Sequence, residues 1–160
     1  MRLSTLPRAI ACTLLLAAAA PLALAGADQP GPALEEGESW ITGAEALAAL
    51  VSGRTHYRDR SDGTSEIEYH DPAGQSAYVW DNCIERGQWW TTEREICFFY
   101  PDTALKGPHC FFIKRNAEAQ LEFWWAGDPA ALLPTATNVQ DVEGNVERLP
   151  LGVTGECLMS

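Results

Sequence analysis

Between Arg54 and Trp125 the chain breaks into short runs separated by turn signals, at the spacing of an antiparallel meander. The runs Thr55–Arg60, Thr64–His70, Gln75–Asp81, Ile84–Thr91, Glu95–Tyr100, Cys110–Lys114 and Gln120–Trp125 predict about seven strands, a number that suits a small barrel or sandwich. Asp62-Gly63 and Asp71-Pro72-Ala73-Gly74 mark turns, because glycine accepts positive φ and proline presets φ at the second turn position. Ile67 and Tyr69 alternate with Glu66, Glu68 and His70, which predicts a strand with one apolar side and one wet side. The later runs do not alternate. The doublets Trp89-Trp90, Phe98-Phe99, Phe111-Phe112 and Trp124-Trp125 follow one another at intervals of 9, 13 and 13 residues. Successive side chains on a strand point to opposite faces, so each doublet puts a large ring on both. Twelve of the fifteen aromatic residues lie between Tyr78 and Trp125, so both faces there need a cover. The protein itself, a second subunit or a ligand would each serve.

Ahead of the strands, Thr42 and Glu45 fit the S/T-x-x-E capping box. Ile41, Ala44, Leu47, Leu50 and Val51 fall on one stripe and Gly53 is placed to end it, predicting a helix over about Gly43–Ser52. A stripe this short must dock on the sheet. Residues 26–39 carry Gly, Pro and Glu with almost no large apolar side chains and predict a flexible leader. After Trp125, Gly127-Asp128-Pro129 ends the strand run, and Glu143-Gly144-Asn145 between Val139/Val142 and Val146/Leu149 suggests one last hairpin. The expected fold is therefore mainly β: an antiparallel meander of about seven strands forming a small barrel or sandwich, with one short N-terminal helix packed on it.

Met1–Ala25 reads as a cleaved secretory signal: Arg2 and Arg8 precede an apolar stretch from Ala9 to Ala20, Pro21 breaks it, and Ala23-Leu24-Ala25 offers a small-x-small site. Ala25-Gly26-Ala27 offers a second. The stretch is shorter than the roughly 20 residues a spanning helix needs, so no membrane span is expected after cleavage. Cleavage after Ala25 leaves 135 residues, one domain's worth, with residues 40–160 as a single β domain. It also removes Cys12, leaving Cys83, Cys97, Cys110 and Cys157 in a chain bound for an oxidising compartment, the bacterial periplasm or the exterior. Two disulfides are expected rather than a metal site, since no Cys-x-x-Cys or Cys/His cluster has ligand spacing. Of three pairings, Cys97 with Cys110 and Cys83 with Cys157 is favoured: the first would staple adjacent strands, the second would tie down the tail. The whole chain carries −11; without the two signal arginines, 9 basic face 22 acidic side chains, giving −13. Such a surface repels phosphate backbones and anionic headgroups, so no nucleic acid is expected as a partner.

Arg86-Gly87-Gln88-Trp89, then Ile96-Cys97-Phe98, then Cys110-Phe111 place a Gly-x-Trp strand before two Cys-aromatic strands, after the helix start Ile41-Thr42-Gly43-Ala44-Glu45. Over roughly Ile41 to Trp125 this order resembles a family of small exported proteobacterial proteins known only as a domain of unknown function. The resemblance implies a periplasmic or secreted β-rich domain with a Cys97–Cys110 bridge. It implies no activity, and Cys83 and Cys157 have no place in the family pattern.

The chemistry-bearing residues point away from catalysis. His56, His70 and His109 sit in no metalloprotease, deaminase or nucleophile-elbow motif. Glu68 and His70 share a strand face and are the best candidate ligand pair, set against a plain solvated face beside the turn at Asp71. Asp59 to Gly63 lacks the calcium-loop spacing of acids at alternate positions. No metal and no cofactor are expected. The expected function is that of an exported, non-catalytic binding or structural envelope protein. In it Trp89 or Trp90 and Trp124 or Trp125 would stand exposed to engage another protein or a cell-envelope glycan. The alternatives are wholly structural doublets with one set of rings under the helix, the tail or a homodimer seam, a protease-inhibitor-like barrel, and a hydrolase with an unrecognised carboxylate pair.

Overall fold

The computed structural model describes residues 31–80, 83–101, 107–128 and 130–152, and the backbone of 158–159. Aspartate turns set the first hairpins. Asp62 Oδ1 accepts from the Thr64 N–H at 3.0 Å and Asp71 Oδ1 from the Ala73 N–H at 2.7 Å, bonds that hold a tight reversal in place. These turns join β2 (Arg54–Arg60), β3 (Ser65–His70) and β4 (Gln75–Trp80). The meander continues through β5 (Cys83–Thr91), β6 (Ile96–Phe99), β7 (His109–Arg115), β8 (Leu121–Trp125) and β9 (Ala136–Glu143). Each of these strands pairs antiparallel with the next, and β9 returns to pair with β2, from Arg54↔Glu143 to Arg60↔Ala136. The sheet therefore closes into an eight-stranded up-and-down barrel. Because β6 is only four residues long, it leaves stretches of its neighbours uncovered. The short strands β1 (Ser39–Ile41) and β10 (Leu158–Met159) fill in, on β7 at Ile113–Arg115 and on β5 at Cys83–Ile84.

The barrel has one strand more than the seven read from the sequence. That strand, β9, is Ala-Thr-Asn-Val-Gln-Asp-Val-Glu, whose buried positions are Ala136 and Asn138, so no apolar alternation marks it. The expected last hairpin is half present. β9 ends at Glu143, but Asn145 then clasps Leu149, its Oδ1 accepting from the Leu149 N–H and its Nδ2 donating to the Leu149 carbonyl, both at 2.8 Å. This loop lays Leu149 and Leu151 on the outer wall against Tyr69, Ala77, Ile67 and Val79.

That packing reverses the expected wet side of β3. Ile67 and Tyr69 face out under the 145–151 loop, while Glu66, Glu68 and His70 point into the barrel, where Glu68 is 2 % exposed. The alternation was real, but the apolar side needed only the tail as its cover. The polar side lies opposite the cations of β2.

The helix α1 (Ala44–Val51) closes one end of the barrel. Leu47 and Val51 are fully buried among Trp89, Ile96, Ile113 and Leu121, which is worth roughly 1.5–3 kcal/mol for each of the two side chains. The capping box does not form. Gly43, at φ 97°, is the N-cap and no side chain caps the helix. β1 delivers the chain by way of a bond from the Gly43 N–H to the Glu93 carbonyl at 2.8 Å, which leaves Thr42 ahead of the cap. Glu38, just before β1, is held by Lys114 at 2.7 Å.

Cys97 and Cys110 stand directly opposite on β6 and β7 and form a disulfide on the outer wall. Replacing both by serine should lower unfolding free energy by about 3 kcal/mol, as the loop-entropy relation gives for a ring of about 14 residues. Urea titration measures this, and equal stability of the variant would reject it. Cys83 is also a disulfide cysteine. Its expected partner Cys157, like the signal segment Met1–Ala25, lies outside the described residues, although β10 directly after Cys157 pairs with Cys83 and Ile84. Among the described residues no helix is long and apolar enough to cross a membrane.

Candidate functional site

Alternation along the barrel strands sends one set of side chains inward, and on β2 and β3 that set is charged. Arg58 and Arg60 come from β2, Glu66 and Glu68 from β3, and the register places Arg58 opposite Glu66. On its other side β2 carries a register shift against β9 between Tyr57 and Arg58, an irregularity of the kind that re-aims a side chain near a site.

Arg58 is buried with both carboxylates. Its Nε lies 2.9 Å from Glu66 Oε1 and its Nη2 contacts Glu68 Oε2. The guanidinium also sits 4.6 Å from the Phe123 ring centroid and 5.9 Å from that of Phe98. The remaining lone pairs are taken in turn: Tyr78 donates its hydroxyl proton to Glu66 Oε2 at 2.7 Å, Arg60 Nη1 reaches the same oxygen at 3.1 Å, and the Tyr100 hydroxyl donates to Glu68 Oε1. Burying an isolated charge costs several kcal/mol, so a floor of this kind holds only when every charge has partners. Burial, and then the neighbouring Glu66 carboxylate, raise the Tyr78 phenol's pKa, and burial raises that of Tyr100. Both hydroxyls therefore keep the protons they donate.

Beneath this floor, toward α1, His56 and His70 stack edge to face at 5.2 Å, and His70 continues onto Trp89 and Phe98 at 5.8 and 5.1 Å. Burial, and then the neighbouring His70 and Arg58, beside which a further positive charge is disfavoured, lower the His56 pKa to about 3. Burial and Arg58 hold His70 well below its ordinary value. Both imidazoles are neutral. The 3.3 Å approach of His70 Nε2 to Glu68 Oε2 is consequently no ion pair, and its angle is not that of a hydrogen bond. Asn138 on β9, with its amide turned to satisfy both ends, donates to the Gln140 and Tyr57 carbonyls and accepts from His56 Nδ1 at 3.3 Å.

Above the floor the barrel holds a cavity of about 710 Å³ that opens at the end away from α1. Phe98, Tyr100, Phe111 and Phe123 form its walls, and Tyr78, Trp80 and Trp125 reach its rim with Asp62, Thr64 and Ser65. Gly87 on β5 makes room for one wall. A Cβ there would strike the Phe99 carbonyl and come within 2.6 Å of Tyr100 Cδ1. A second, shallower groove of about 290 Å³ lies at the helix end, between Leu50, Arg54, Gln120 and Asp141. No ring lines it.

Each aromatic doublet divides between the two surfaces of the barrel wall. Trp89, Phe98, Phe111 and Trp125 point inward. Trp124 points outward and is covered by Trp40, with ring centroids 6.0 Å apart, and by the Lys114 ammonium at 5.1 Å. Trp89 and Trp124 are thus 7 % and 5 % exposed, against 40 % for Trp90 and 43 % for Trp125. The four tryptophans do not make one platform, since Trp90 stands on the outer wall and Trp125 in the mouth.

The pair Glu68 and His70 is brought together, but inside the barrel rather than on a solvated face. A grouping of Glu95, Cys97 and Cys110 has the spacing of metal ligands, yet its two sulfurs are spent on the disulfide. Sequence reasoning passed over Arg58, Glu66, Tyr78 and Tyr100. One signal was present: His56, Arg58 and Arg60 alternate along one strand and Glu66, Glu68 and His70 along the next, so a tight hairpin lays opposite charges on the same face. No protein-family model, no curated protein and no solved structure matches this chain, so its function rests on the geometry of the barrel interior.

Proposed function

We propose that the protein is an exported, non-catalytic binding protein whose barrel takes up a small ring-bearing molecule through the end away from α1. The observation that carries this reading is the 710 Å³ cavity with aromatic walls above a neutralised polar floor. Eight strands enclose just enough space for packed side chains or one small ligand, and this volume lies within the range of small-molecule sites. The floor favours holding over chemistry. Its carboxylates are engaged by Arg58, Arg60, Tyr78 and Tyr100, and its imidazoles are buried and neutral. Export is supported by the Cys97–Cys110 disulfide, a bond that persists in oxidising compartments. Of the four tryptophans singled out in the sequence, Trp125 serves this reading directly, as a half-exposed indole at the mouth.

N-phenyl-1-naphthylamine, neutral and fluorescent in apolar surroundings, should bind saturably with a stoichiometry near one. Thr135→Trp, which fills the mouth from the cavity wall, should abolish the signal while leaving the unfolding transition in place. No saturable binding at micromolar protein, or binding indifferent to Thr135→Trp, would sink the proposal.

A further inference from the structure

The charges in the cavity decide which ring-bearing molecules suit it, and this inference rests on the cavity being a binding site. Both arginines that line it are already committed. Arg58 is held by Glu66 and Glu68 and covered by the Phe123 ring, and Arg60 is held by Glu66 at 3.1 Å and faces Asp62 at 3.4 Å. Two arginines thus stand against three carboxylates, Asp62, Glu66 and Glu68, which leaves one negative charge in excess among these five, with the His109 imidazole as a further member of the lining. Behind the rim, Trp80 donates its indole proton to Glu85 Oε1 at 2.9 Å. Glu85 is itself buried, and its second oxygen has no hydrogen-bond partner among the described residues. The potential inside is therefore negative, and the walls are ring faces that also attract cations.

We infer that the cavity selects a cationic aromatic molecule over a neutral one, and a neutral one over an anion such as a fatty acid or an aromatic acid. An anionic headgroup would have to compete with the buried Glu66 or Glu68 for a guanidinium, stranding a carboxylate in a place where an unpaired charge is costly, and it would meet the exposed Asp62 carboxylate on the way in. A cation needs no such exchange. It meets Asp62 at the mouth while its rings lie against Phe111 and Trp125.

The test uses three tricyclic probes of nearly equal size at physiological salt, where attraction to the acidic outer surface is screened: 9-aminoacridine as the cation, acridine as the neutral form and anthracene-9-carboxylate as the anion. The cation should bind at least tenfold more tightly than the anion, with acridine between them. Asp62→Asn keeps the acceptor of the Asp62 turn and removes one rim carboxylate, so it should narrow the gap between cation and anion several-fold. Equal or tighter binding of anthracene-9-carboxylate overturns the charge inference while leaving the cavity as a binding site. 9-Aminoacridine that N-phenyl-1-naphthylamine cannot displace has bound the acidic surface, which also overturns it. If none of the probes binds, N-phenyl-1-naphthylamine included, the cavity reading itself falls.

Discussion

Arg58→Ala should lower the unfolding free energy by about 3–5 kcal/mol, the usual cost of removing one partner from a buried ion pair. The loss would come less from the vanished bonds than from what they leave behind. Glu66 and Glu68 are both buried, and without Arg58 the low-dielectric interior holds two carboxylates next to each other with Arg60 engaging only Glu66. The Phe123 and Phe98 rings lose the guanidinium that lies against them as well. Urea unfolding followed by tryptophan fluorescence measures the change. A companion variant separates charge from volume: Arg58→Met combined with Glu66→Gln and Glu68→Gln removes the whole charged set and should recover most of the stability. A loss below about 1 kcal/mol for Arg58→Ala would mean that the floor is wet and its charges are screened as at a surface.

Acid should unfold the protein in a window where most carboxylates are still ionised. An unfolded histidine titrates near 6.5, whereas His56 in the barrel titrates near 3 and His70 well below its ordinary value. Between those limits the unfolded chain binds more protons than the folded one, so stability falls as the pH drops from about 6.5 toward 3. His56 alone should cost about 2 kcal/mol at pH 5 by this linkage, and His70 shifts in the same direction. Arg58, facing both rings, opposes their protonation, while Asp141 near His56 and Glu66 near His70 offset it only in part. The carboxylates with lowered pKa values, Glu38 and Asp62, act in a different window. Their contribution is complete above about pH 4.5 and is lost below it. Melting temperature followed from pH 7 to pH 5 should therefore drop steeply, and the double variant His56→Gln, His70→Gln should flatten that slope. A wild-type slope that the double variant leaves unchanged would rule the imidazoles out as its source.

The strands and turns from Arg54 to Trp125 were legible because their signals are local. An aspartate that accepts from the N–H two residues on, as at Asp62 and Asp71, needs nothing distant to define it. The doublets likewise announced rings on two surfaces, and the interior of a barrel and its outer wall are those surfaces. What the sequence hid was direction. Glu66, Glu68 and His70 carry the pattern of a solvent face, and only the arginines of the neighbouring strand make burial tolerable there. A polar alternation says which side chains share a face but not which face is dry. β9 was hidden for a related reason. It seals the barrel largely by backbone pairing, with Ala136 and Asn138 as its buried side chains, so it needs no apolar stripe.

The return of β9 onto β2 also settles how another chain can approach the molecule. Open sheets end in a row of unpaired N–H and C=O groups, on which a foreign extended segment can add itself, whether a bound peptide or a second copy at the start of aggregation. Here the cylinder has no such rim along its seam, and β1 and β10 sit on the stretches that the short β6 would otherwise leave bare. A chain with this density of aromatic residues thus keeps its wall strands from templating others. Along that seam a partner is met by side chains and not by backbone, and among the described residues the outer edges left by β1 and β10 are only three and two residues long.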